Sequence, residues 1–198
     1  MNISPTEDPL DLFSDWFQDA NESEVNDPNA VALATVDEDG MPNVRIVLLK
    51  DYDVEGFVFY TNLESAKGRE VLATGKSAMC FHWKSRQRQV RIRGTTELVN
   101  DEQADEYFNS RPGQSRIGAW ASQQSRPMTG RRDLLQAIAR FGVKYAVGQI
   151  PRPNYWAGVR LKPLSIEFWQ AGEFRLHHRI DYRRKGIGCP WEQSILFP

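Results

Sequence analysis

The chain opens on a helical pattern and then changes period. Over residues 8–20 (DPLDLFSDWFQDA), Leu10, Phe13, Phe17 and Ala20 recur at helical spacing, and Asp8 ahead of Pro9 suits an N-cap. AVALATVD (30–37) is β-rich and ends at the turn Glu38-Asp39-Gly40, while RIVLLKDY (45–52) and FVFYT (57–61) read as a second and a third strand. ESAKGREVLAT (64–74) predicts a short helix stopped by Gly75. SAMCFHW (77–83) and RQVRIRGTTEL (88–98) are two more strands. In the second of them Val90 and Ile92 share one face, and Gln89, Arg91 and Arg93 the other. DEQADEYFNSR (101–111) starts acidic and stops at Pro112, as a helix should. Residues 131–147 carry the longest amphipathic stripe: Leu134, Leu135, Ile138, Phe141 and Tyr145. After Pro151 and Pro153, WAGVRLKP (156–163), SIEFWQ (165–170) and FRLHHRI (174–180) predict an antiparallel meander, with the turn Ala171-Gly172-Glu173 between the last two.

Five strands with short turns, then helices, then three more strands do not make a βαβ pattern. The order predicts a mainly β fold with α: an antiparallel barrel with helices packed outside. A chain of 198 residues suits one domain, 1–198. Its 25 Lys and Arg balance 26 Asp and Glu, so there is no global attraction to nucleic acid or anionic membrane. Any anion site must come from local clustering. The start, MNISPTEDPL, lacks a basic region followed by an apolar stretch, and the longest apolar run, around 31–36, is too short for a bilayer. A cytoplasmic setting is expected. Of the two cysteines, Cys80 in the patch AMCF reads as a core filler, and its spacing to Cys189 is not that of metal ligands. Neither dinucleotide-binding nor P-loop glycine spacing is present.

Four segments could carry chemistry. In RIVLLK, alternation puts Arg45, Val47 and Leu49 on one face and Ile46, Leu48 and Lys50 on the other. This is either a buried strand with solvated cations or a strand that offers cations to different ligand groups. KSRQRQVRIR (84–93) holds five cations and Gln89, whose amide can both donate to and accept from a ring edge. It reads as a solvated ribbon or a local anion pocket; a nucleic-acid surface would need more interleaved aromatics than Trp83. In YFNSRPGQSR (107–116), Tyr107 and Arg111 are four apart, and Pro112-Gly113 lets Ser115 fold back toward them. Converging phenol, guanidinium and hydroxyl suit a phosphate monoester; the alternative is a helix end with a dipole-favoured arginine. In FRLHHR (174–179), a strand would put Arg175, His177 and Arg179 on one face, facing either a ligand or solvent. Adjacent His177 and His178 point apart on such a strand, a poor metal pair.

Taken together, the segments resemble the pyridoxamine 5′-phosphate oxidase family. RIVLLK (45–50), FYTNLES.K (59–67), RQVR.RG (88–94), YF.SRP..S.IGAWAS.QS (107–125), IPRP..W.G.R (150–160) and IEFW..G..RLH.R (166–179) occur in the family's order across about residues 8–182. The resemblance implies an FMN-binding split β-barrel of Greek-key type, with an N-terminal helix near 8–20 and dimerisation and active-site strands near 155–198. It implies a homodimer with FMN at the interface, no metal, and no nucleic-acid or membrane partner. Arg45, Ile46, Val47, Leu48, Leu49 and Lys50 would line FMN, with Tyr60, Thr61 and Lys67 near its phosphate and ribityl chain. Gln89, Gln124, Ser125, Trp169 and Arg179 would complete that site, some from the second subunit. Lys50, Tyr107, Arg111 and Ser115 would hold the substrate phosphate, while Arg175 and His177 would flank the ring where C4′ is oxidised. The implied reaction converts pyridoxine or pyridoxamine 5′-phosphate to pyridoxal 5′-phosphate with O₂, releasing H₂O₂, and ammonia from the amine. A phenazine-pathway relative with another substrate is the second enzyme reading, and a ligand-binding module with little activity a third. Ala66 replaces the family's usual long polar residue before Lys67, His178 its usual aspartate, and Ile195 a common arginine. Only seven residues precede Asp8, where many members carry a basic extension.

Overall fold

The structure, a computed structural model, describes residues 3 and 6–198; positions 1, 2, 4 and 5, part of the stretch read above for a secretory signal, lie outside the described residues. Asp8 caps α1 (Pro9–Ser23) by accepting from the Leu10 amide at 2.9 Å, and Pro9 sits where its missing N–H costs nothing. Leu12, Phe13, Trp16 and Ala20 are the buried face, so the helix is rolled slightly from the expected stripe and leaves Leu10 and Phe17 half-buried.

Among the described residues, nine strands, all paired antiparallel, make one sheet: β1 (Ala30–Val36), β2 (Pro42–Leu48), β3 (Asp51–Asp53), β4 (Gly56–Asn62), β5 (Lys76–Trp83), β6 (Arg88–Leu98), β7 (Trp156–Gln170), β8 (His178–Arg183) and β9 (Glu192–Ile195). The order is β2-β1-β5-β6-β7-β4-β3, with β8 on β7 and β9 on β8. The sheet is the expected split barrel, and α1 packs onto its core. Phe13 is fully buried there, with Phe57, Tyr52, Phe81 and Trp83 around it at 4.9–6.1 Å between ring centres.

Three expectations change. The two strands expected on either side of Leu164 are one: β7 runs through Pro163, because a register shift opposite Arg93 and Gly94 absorbs the extra residue and the missing amide. Gly94 is required there, since a Cβ would lie 1.9 Å from the Lys162 carbonyl oxygen. The strand expected from Phe174 starts only at His178, because Phe174 and Arg175 hold φ values of 54° and 65° in the left-handed region. Arg175 and His177 therefore do not share a strand face with Arg179. Thirdly, the expected strand 45–52 is split: β2 ends at Leu48 and β3 begins at Asp51, leaving Lys50 between them.

Four more α-helices lie among the described residues: α2 (Ala66–Thr74), α3 (Asp101–Ser110), α4 (Gly113–Ala121) and α5 (Arg131–Lys144). α5 stops short of the expected 147, and Leu135 and Ile138 of its apolar stripe stay exposed. Among the described residues, no helix is long and apolar enough to cross a membrane.

Candidate active site

A cavity of about 790 Å³ opens between β2, β4, α2, α3, α4 and the segment after α4. That volume lies within the roughly 300–1,000 Å³ of ordinary ligand clefts. Arg45, Ile46, Val47, Leu48, Lys50, Tyr60, Thr61, Lys67, Tyr107, Arg111, Ser115, Gln124 and Ser125, thirteen residues expected from sequence, line it together. Leu49 does not; just past the end of β2 it is buried in the core, 3% exposed.

One end of the cavity is the start of α2. Ser65 caps the helix by accepting from the Gly68 amide, and Gly68 packs so closely on Leu63 that a Cβ would lie 2.5 Å from its backbone. The Ala66 amide donates to Ser125 Oγ at 3.2 Å. Lys67 Nζ reaches Gln124 Oε1 (3.2 Å), Ser65 Oγ (3.3 Å) and Thr61 Oγ1 (3.4 Å), all neutral oxygens. Burial, and then the neighbouring Arg45 charge, push the Lys67 ammonium down from its ordinary value. A cation held by neutral acceptors at a helix N-terminus is a place prepared for an anion.

Arg45 is fixed differently. Its guanidinium donates to Thr35 Oγ1, the Leu33 carbonyl (3.2 Å) and Glu70 (3.2 Å), while Asn43 and Thr35 also donate to Glu70. Burial alone would raise the Glu70 carboxyl, but these hydrogen bonds and the Arg45 charge together hold it below 4.5. A depressed folded value stabilises the protein above the unfolded one and is lost as pH falls through it. The stability advantage of wild type over Glu70→Gln should therefore shrink between about pH 6 and about pH 3, measured by urea midpoints. Sequence reading missed Glu70; its position one turn after Lys67 on α2 was the available signal.

The other end is aromatic and cationic. Tyr60 stacks on Tyr107 at 4.0 Å and on Trp156 at 5.2 Å between ring centres. Gly158 makes room, because a Cβ there would meet Tyr60 at 2.7 Å. Burial foremost, then Asp51 and Tyr107, push the Tyr60 phenol up to about 12, so it remains a neutral donor. Pro112 forces Arg111 out of α3 into extended backbone (φ −74°, ψ 149°), so the helix ends one residue before the expected 111. Arg111 then lies over Trp156 at 4.9 Å, and its Nη1 is buried without a hydrogen-bond partner. Burial lowers its affinity for a proton. Ser115 arrives on the first turn of α4, a helix that the sequence reading did not include.

The remaining expected residues form a second group outside that cavity. Gln89, Trp169 and Arg179 are direct cross-strand partners on β6, β7 and β8. Arg179 Nε donates to Glu167 at 3.0 Å and its Nη1 to the Phe197 carbonyl at 2.8 Å. His177 packs against Trp169 at 4.6 Å. Gly172 N–H donates to His177 Nδ1 at 3.2 Å, so a neutral His177 ring carries its proton on Nε2 and presents that atom as a donor. Arg175 precedes it on a one-turn 3₁₀ segment.

Two family models match successive parts of the chain. The family model described as pyridoxamine 5′-phosphate oxidase matches residues 17–144, and the one described as pyridoxine 5′-phosphate oxidase C-terminal dimerisation region matches 156–198. The chain is 61% identical to a pyridoxine/pyridoxamine 5′-phosphate oxidase of Chelativorans sp., over 96% of this chain and 91% of the relative. It is 58% identical to the enzyme of that name from Rhizobium meliloti, over 100% and 96%. Among solved structures it is similar to PhzG from Burkholderia lata 383, crystallised with tetrahydrophenazine-1-carboxylic acid (TM-score 0.91, 31% identity, 98% of this chain and 95% of that one).

Proposed function

This chain belongs to the pyridoxamine 5′-phosphate oxidase family, and we propose that it is itself a pyridoxine/pyridoxamine 5′-phosphate oxidase: a homodimeric FMN oxidoreductase that uses O₂ as acceptor, with 1–198 acting as a single domain. The observation that carries this reading is one cavity with two cationic ends, each short of an anion. Lys67 meets only neutral oxygens at the start of α2, and Arg111 Nη1 meets nothing beside the Tyr60, Tyr107 and Trp156 rings. Two phosphorylated aromatic molecules lying together would satisfy both.

The donor set at α2 fits FMN. Arg45, Lys67, Thr61, Gln124 and Ser125 would hold its phosphate and ribityl chain, with residues 46–48 along its ring. When bound, FMN supplies the two-electron acceptor for the substrate carbon and the route from there to O₂. The protein's own part is placement and charge complementarity. Lys50, Tyr107, Arg111 and Ser115 would grip the substrate phosphate. Gln89, Trp169, Arg175, His177 and Arg179 stand apart from the cavity in the same chain; the match of 156–198 to a dimerisation region supports the last four reaching the partner's cavity, with Gln89 carried beside Trp169 as its cross-strand partner. There Arg175 would flank the pyridine ring and His177 would donate from Nε2.

The test is H₂O₂ release by flavin-loaded protein given pyridoxine or pyridoxamine 5′-phosphate, against the same compounds without phosphate. No release with either phosphorylated compound would sink the reading. A separate expectation concerns the cofactor. Lys67→Met should weaken FMN binding about 10–150-fold, the value of one charge-assisted contact, measured by quenching of flavin fluorescence.

A further inference from the structure

Arg152 lies in the segment Ile150-Pro151-Arg152-Pro153 before β7, and it does not line the cavity. Its side chain is 12% exposed, and all three corners of the guanidinium are used. Nε donates to Asp105 Oδ1 at 2.6 Å, Nη2 to Asp101 Oδ1 at 2.6 Å and Nη1 to the Trp156 carbonyl at 2.8 Å. Asp101 and Asp105 are one turn apart on α3, the helix that delivers Tyr107 and leads into Arg111. Trp156 begins β7 and supplies the ring over which Arg111 lies.

One planar fork therefore ties the element bearing the phosphate-site side chains to the strand bearing their aromatic backing. The aspartates are largely exposed, so the ion pairs add little stability, but the planar guanidinium holds two separate carboxylates in fixed directions. Arg111 rests on Phe108 and Trp156, one residue from each side of that junction. Its location follows from where α3 and β7 meet.

We propose that Arg152 is a positioning residue for the substrate-phosphate end of the site, acting through α3 on Tyr107 and Arg111 without touching substrate. This rests on the reading of Arg111 as a phosphate ligand. The experiment compares wild type, Arg152→Ala, Arg152→Lys, Arg111→Ala and the double variant Arg152→Ala/Arg111→Ala, all flavin-loaded, with pyridoxamine 5′-phosphate as substrate. Hydrogen exchange of the amides of residues 101–110 is followed alongside. Arg152→Ala should raise KM about tenfold with kcat within about twofold, and should add under about twofold to KM once Arg111 is gone. Exchange in α3 should quicken in Arg152→Ala. Arg152→Lys keeps the charge without the three-cornered fork, and should raise KM about threefold or more while remaining folded. An unchanged KM in both Arg152 variants would overturn the proposal. So would an Arg152→Ala effect of equal size in the Arg111→Ala background, or α3 exchange that does not change. If Arg111→Ala alone leaves KM untouched, it is the phosphate reading of Arg111 that falls. The exchange rates then decide by themselves whether Arg152 tethers α3.

Discussion

Arg111→Ala should raise KM for pyridoxamine 5′-phosphate about 10–150-fold while leaving kcat within about threefold, the signature of a lost binding contact away from the reacting carbon. The same substitution should barely move the melting temperature. Most buried arginines are hydrogen-bonded, and removing one normally leaves an unpaired partner. Arg111 Nη1 has no such partner, so truncation strips away a desolvated charge as well as its contact with Trp156. The stacking, about 0.5–1 kcal/mol, and the relief of desolvation act in opposite directions. Steady-state kinetics beside a thermal melt separates the two effects. A large fall in melting temperature with unchanged KM would make Arg111 a packing residue and remove the phosphate pocket.

Phe13→Ala should destabilise the fold by about 3–5 kcal/mol, the range for emptying a buried aromatic site. For a chain of this size that is a fall of about 6–20 °C in melting temperature, compared at equal protein concentration. Phe13 has no exposed surface and is ringed by Phe17, Tyr52, Phe57, Phe81 and Trp83. Those neighbours come from α1 and from β3, β4 and β5, so the gap cannot close by moving one element. A fall of under about 2 °C would mean that α1 is only loosely seated.

The strands most legible in the sequence are those with one buried face. Residues 89–93 alternate cleanly because Val90 and Ile92 enter the core while Arg91 and Arg93 stay outside, as the spacing predicts. Legibility fails where the physics is not periodic. β9 is exposed along its whole length, so no alternation marks it. α4 (GQSRIGAWA) contains two glycines and buries only Ala121 fully, which leaves no stripe to read. The join through Pro163 depends on Gly94 across the ladder, a partner 69 residues away that no local window contains. The bend at Phe174 and Arg175 puts two ordinary side chains into a backbone region they usually avoid, and only the surrounding contacts dictate it. For the site, residue types and spacing pointed to Tyr107, Arg111 and Ser115, and the family resemblance to Lys67; the four do share a cavity. That Gln89, Trp169 and Arg179 form a separate row could not be read there, because it is a matter of register between distant strands.

β2 lies at an open end of the sheet, and Met41, Val44 and Ile46 are each about 65% exposed along it. An exposed apolar edge strand of this kind invites other chains to add to it. Such an edge makes the protein prone to self-association wherever it stays uncovered. Val44 and Ile46 also belong to the cavity wall, so a molecule seated there screens part of that edge. Occupancy and shelf life are thereby coupled, and the empty protein should be the first to cloud on storage.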